Sequence, residues 1–82
     1  MDSTESRLMD CFSLIFPDLS EKLIKQASTN SVGSWDSIST VNLVSIIEEE
    51  FGIQIELQDV EEVASFDRTL TFVRKALGER MV

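Results

Sequence analysis

The stretch from Asp36 to Gly52 constrains the fold more than any other, because the start, body and end of a helix are all written into it. Asp36 is of the type whose side chain caps the free amides of a first turn. Ile38, Val41, Val44, Ile47 and Phe51 recur at helical spacing, and Gly52 stands where a left-handed terminal residue is wanted. The spacing predicts a helix over roughly 37–51. At about 100° per residue, Val41, Val44, Ile47 and Phe51 gather on one side and are read as core, whereas Ile38 and Ile46 fall toward Ser39, Asn42, Ser45 and Glu49. A chain of 82 residues built around such a helix has room for one core and one domain, 1–82, and not for a large enclosed catalytic pocket.

The neighbouring segments complete an all-α pattern. From Thr4 to Phe16, Leu8, Met9, Cys11, Phe12, Ile15 and Phe16 repeat with the helical period until Pro17 stops the run. Residues 17–36 lack a strong period. Ser20 to Ile24 can begin a short helical turn, and the segment is expected to pack on the core through Leu19, Leu23, Ile24 or Val32, with Trp35 holding its end down. Ile53 to Leu57 alternates, but with no second alternating run to pair with it is read as an extended linker, followed by a short third helix over Gln58 to Val63. Ser65 then caps a last helix bearing Phe66, Leu70, Val73 and Leu77, with Asp67 in its first turn, Arg74 and Lys75 near its end and Gly78 beyond. The prediction is a small four-helix bundle: three main helices, one short helix, a long loop between helices one and two, and fraying over residues 79–82.

Charge and absences narrow the function. The formal charge is −8, which argues against nucleic acid as a partner. Between Asn30 and Asp67 there is no Lys or Arg but nine acids, so the surplus belongs to the second and third helices. With no His, the chain lacks the usual base of nucleophilic catalysis and the imidazole ligands of metals. No stretch matches a calcium loop. The lone Cys11 falls on an apolar face and reads as core filler. The opening residues do not have the build of a signal peptide, and no apolar run is long enough to span a bilayer, so a reducing, cytoplasmic setting is expected.

Glu48, Glu49 and Glu50 crowd the C-terminal turn of the second main helix, where the helix dipole disfavours anions. Such a run often forms a solvated face. Ile38 and Ile46 either pad the margins of the core or supply the apolar spots of a docking surface with an acidic rim.

Gly33-Ser34-Trp35-Asp36-Ser37-Ile38, the helix that follows, and its ending Glu48-Glu49-Glu50-Phe51-Gly52 together resemble the acyl carrier protein family of freestanding type. In that family an Asp-Ser-Leu motif heads the second helix of a bundle with the same helix order. The resemblance implies that Ser37 is the attachment point for covalent 4′-phosphopantetheine, that Asp36 supports the modification, and that the chain is a carrier and not an enzyme. It implies as partners a phosphopantetheinyl transferase and acyl- or aminoacyl-loading ligases, synthases or transferases with basic docking patches. A phosphodiester in a first helical turn also sits well by unpaired amides and the positive end of the dipole. Ile38, Ser39, Asn42, Ile46, Glu49, Glu56 and Glu61 are the candidate docking residues, on a protein expected to be a monomer. Fatty-acid members of the family usually carry acids where this chain has Ser39 and Asn42, and leucine where it has Ile38. That departure favours a specialised pathway of polyketide, nonribosomal peptide or lipid-modification chemistry. The competing reading is an unmodified acidic adaptor whose Ser37 is only a cap-region residue or a phosphorylation site.

Overall fold

The computed structural model describes residues 3–78. Among them the chain forms α1 (Ser3–Ile15), α2 (Glu21–Lys25), α3 (Ser37–Phe51), a 3₁₀ helix (Leu57–Glu62) and α4 (Phe66–Ala76). The expected second main helix is thus α3, the short third helix is the 3₁₀ segment after an extended stretch, and the turn read at Ser20 is α2. No β structure occurs among the described residues beyond one isolated bridge between Ser28 and Ser65. The fold is the all-α bundle that the sequence predicts. The fraying read for residues 79–82 lies outside the described residues.

Three of the helices, α2, α3 and α4, begin on a side-chain cap, and α3 also ends on a glycine. Ser20 Oγ accepts from the Leu23 amide, Asp36 Oδ1 from the Ser39 amide and Ser65 Oγ from the Arg68 amide, each satisfying a donor that the first turn leaves open. Gly52, at φ 64°, closes α3 in the left-handed conformation and donates to the Glu48 carbonyl, a geometry that glycine adopts without a Cβ penalty.

The core lies where α1 meets α3, α2 and α4. Leu8, Phe12, Ile24, Leu43, Ile47, Val63, Phe66 and Val73 are among its buried members. Burying such a side chain contributes roughly 1.5–3 kcal/mol. The stripe of α3 that faces the core differs from the one expected. Leu43, Ile47 and Phe51, at i, i+4 and i+8, form it, Val44 is only half-buried, and Val41 is 62% exposed. Apolar residues occupy so much of the circumference of this helix that spacing alone defines two candidate stripes. The packing of α1 selects the one that starts at Leu43.

The long segment before α3 is tied down. Its backbone joins the start of α4, Thr29 N–H donating to Ala64 O and Phe66 N–H to Ala27 O. Ile24 and Ala27 are buried, and Leu19 and Val32 pack partly against the core, whereas Leu23 is 52% exposed. Ile24→Ala should therefore cost about 2–5 kcal/mol in urea unfolding, and Leu23→Ala no more than about 0.5 kcal/mol. Equal effects would mean that the segment does not pack this way.

Cys11 is buried within α1, and its thiol is pushed up to about 11, first by burial and then by the charges of Glu50 and Asp10. A thiol held protonated by the fold stabilises it fully below the unfolded pKa of about 8.5, and that contribution disappears as pH rises through the folded value. Between pH 8 and 11 the urea midpoint of the wild type should fall more steeply than that of Cys11→Ala. Parallel curves would show that the thiol does not titrate as described.

Candidate functional site

The head of α3 is built from the loop that enters it. Trp35 is buried against Phe12 and Phe16, at ring-centroid separations of 5.5 and 5.4 Å. Its indole N–H donates to Thr40 Oγ1 at 2.9 Å, and the Thr40 hydroxyl donates in turn to the Asp36 carbonyl at 3.0 Å. The amide of Trp35 donates to Val32 O and that of Asp36 to Ser34 O, so the backbone on the N-terminal side of Ser37 is held at successive points. Trp35 thus performs the packing role read from sequence and also hydrogen-bonds across the first turn of α3.

Asp36 is fully solvent-facing, and its carboxyl lies below the ordinary aspartate range. The chief cause is the hydrogen bond from the Ser39 amide, at 2.8 Å, with smaller contributions from the Ser39 side chain and the Ile38 amide. Ser39 is committed locally: its amide caps onto Asp36 and its hydroxyl donates to the Ser34 carbonyl at 3.0 Å.

Ser37, between these bonded neighbours, is exposed, and its hydroxyl takes no part in any hydrogen bond among the described residues. The amides of Ser37 and Ile38, in the first turn of a fifteen-residue helix, have no carbonyl one turn back to receive them. The site therefore offers a free nucleophilic oxygen on a fixed backbone, beside donors and a dipole end that favour an anionic group. These are the properties a phosphodiester-linked group requires.

The remaining candidates divide by position. Ile38 is 71% exposed, and Asn42, Glu49, Glu56 and Glu61 are also exposed, while Ile46 is half-buried at the margin that α3 shares with α1. Val41, read from sequence as core, stands one turn beyond Ile38, and the two form an exposed apolar pair. The signal was present as an i, i+3 spacing. Leu57, 91% exposed at the start of the 3₁₀ helix, was also missed, because the alternating stretch before it gives no indication of which side faces solvent.

The three adjacent glutamates have separate roles. Glu48 accepts a hydrogen bond from the buried Ile55 amide at 2.8 Å. Glu50 pairs with Arg7 at 2.7 Å, and Arg7 also donates to the Glu50 carbonyl and lies over the Phe51 ring. Glu49 has no ion-pair partner among the described residues. Among those residues no group of three or more metal-ligating side chains is assembled, and no helix is long and apolar enough to cross a membrane.

No protein-family model matches the chain. It is 30% identical over 73 residues to an acyl carrier protein of Buchnera aphidicola subsp. Schizaphis graminum (strain Sg), an alignment covering 89% of this chain and 92% of that protein. Over 55 residues it is 33% identical to acyl carrier proteins of Buchnera aphidicola subsp. Acyrthosiphon pisum, strains Tuc7 and APS, covering 67% of this chain and 69% of each relative. The helix order, the capped head of α3 and this similarity over most of both chains agree, and the chain belongs to the acyl carrier protein family.

Proposed function

We propose that Ser37 is the residue that carries covalent 4′-phosphopantetheine, and that the protein presents acyl or aminoacyl groups to the enzymes of a biosynthetic pathway. The observation that carries this reading is the exposed, unbonded Ser37 hydroxyl at the capped end of α3. When bound, the group supplies a terminal thiol able to hold an acyl group as a thioester.

The chain's own part is to offer the oxygen. Ser37 Oγ forms a bond to the phosphorus of coenzyme A, the pyrophosphate P–O bond breaks, adenosine bisphosphate leaves, and the hydroxyl proton passes to the transferase. The first-turn amides and the dipole of α3 favour the negative charge that results. Asp36 holds the first turn closed through the Ser39 amide, and its exposed carboxylate is within reach of the transferase. Ile38, Asn42, Glu49, Glu56 and Glu61 provide apolar and acidic docking points, to which the exposed Val41 and Leu57 add. Ser39 serves the cap more than the surface. The acids steer a basic enzyme patch, so docking is brief and weakens with salt.

Intact mass before and after incubation with coenzyme A, magnesium and a broad-specificity phosphopantetheinyl transferase tests the attachment. The wild type should gain one phosphopantetheine, and Ser37→Ala none while keeping the wild-type circular dichroism and urea midpoint. Loading of Ser37→Ala would overturn the site, and a folded wild type that no transferase loads would favour an unmodified adaptor. Asp36→Asn separates the two roles of Asp36, because asparagine also caps helices but carries no charge. It should keep the helix content of the wild type and load more slowly; loading at the wild-type rate would reduce Asp36 to a cap.

A further inference from the structure

Asp10 and Leu14 stand four residues apart on α1, and Ile46, Glu49 and Glu50 stand at i, i+3 and i+4 on α3, so each set lies along one stripe of its helix. The stripes line an open groove of about 270 Å³, with the buried Cys11 among its walls. Leu14 is 70% exposed there, and Ile46 is half-buried. Glu50 is neutralised by Arg7, but Asp10 and Glu49 are exposed without an ion-pair partner among the described residues. The groove thus joins an uncovered apolar floor to two unopposed carboxylates.

This combination selects its occupant. A second copy of the chain would bring the same acids and a formal charge of −8 of its own. A fatty acyl chain would fill the apolar floor but leave both carboxylates unmatched. A helix with apolar residues on one stripe and Lys or Arg beside them matches both features.

We propose that the α1–α3 groove is a docking surface for a cationic amphipathic helix of a partner protein, its apolar side chains against Leu14 and Ile46 and its basic groups beside Asp10 and Glu49. This extends docking from α3 onto α1. Ile46 lies nine residues along α3 from Ser37, about 13 Å at the helical rise, so a helix seated here leaves the head of α3 open. The inference rests on the docking half of the carrier reading and not on attachment at Ser37.

The test uses the ¹⁵N-labelled, unmodified full chain titrated at low salt with a synthetic helical peptide of leucine and lysine. Saturable shifts should centre on Asp10, Leu14, Ile46 and Glu49. Leu14→Ala and Glu49→Lys should each weaken binding by about fivefold or more, and Leu23→Ala, which removes an exposed leucine outside the groove, should leave it unchanged. Native amide spectra confirm that each variant folds. Shifts centred on Ile38 and Val41, an equal loss with Leu23→Ala, or no saturable binding would overturn the proposal. So would self-association in sedimentation that Leu14→Ala abolishes, which would assign the groove to a second copy. Loading of Ser37, read by mass on the same preparation, is independent of every one of these outcomes.

Discussion

Phe12 is the contact on which the arrangement depends. Its ring meets Trp35 and Phe66 edge-on, at 5.5 and 5.1 Å, and Phe16 at 6.4 Å, so one α1 side chain joins the loop before α3 to the start of α4. Aromatic pairs of this kind contribute roughly 0.5–1.5 kcal/mol beyond the area they bury. Their larger effect here is positional. Trp35 passes the order of the core outward through Thr40 to the Asp36 carbonyl, one residue before the proposed attachment serine. An attachment residue must be exposed to a transferase, yet its backbone must not wander. Anchoring the neighbouring tryptophan in the core meets both requirements without burying Ser37 itself.

The second organising constraint is the far end of α3. Three consecutive glutamates there oppose the helix dipole, by about 0.3–1 kcal/mol each where exposed. Glu48 and Glu50 offset this with specific partners, the Ile55 amide and Arg7, and so hold the chain as it leaves the helix. Arg7 lies above Phe51 at 4.6 Å while gripping Glu50, which closes the end of α3 against α1. Only Glu49 lacks such an assignment. A run that reads as one acidic feature is therefore two structural residues and one residue with no ion-pair partner among the described residues.

What could be read in the sequence was local. The caps at Asp36 and Ser65 and the left-handed Gly52 depend on residues within one turn, and each stands where spacing placed it. The position of Ser37 at the head of α3 was legible for the same reason. The inward face of α3 was not, because Leu43 and Val41 differ by two positions on a helix rich in apolar residues. The deciding term is the packing of α1, which periodicity does not contain. Nor does any local signal pair Ser28 with Ser65, or bring Asp10 and Leu14 to face Ile46 and Glu49. These are long-range contacts between segments whose own sequences would suit other partners.

The surface of α3 follows from that same surplus of apolar residues. A helix apolar on one stripe is satisfied by one packed neighbour, and a helix apolar nearly all round is ordinarily buried on every side. Here Leu43, Ile47 and Phe51 meet the core, yet Ile38 and Val41 face water and Ile46 opens onto a groove. Burying these residues would strengthen so small a bundle, but it would also remove the free face of the helix that bears Ser37. Around Ile46 the groove is rimmed by the carboxylates of Asp10, Glu49 and Glu50. Partial burial of α3 therefore leaves one face of the helix that bears Ser37 open beside its core contacts, as the proposed carrier role requires.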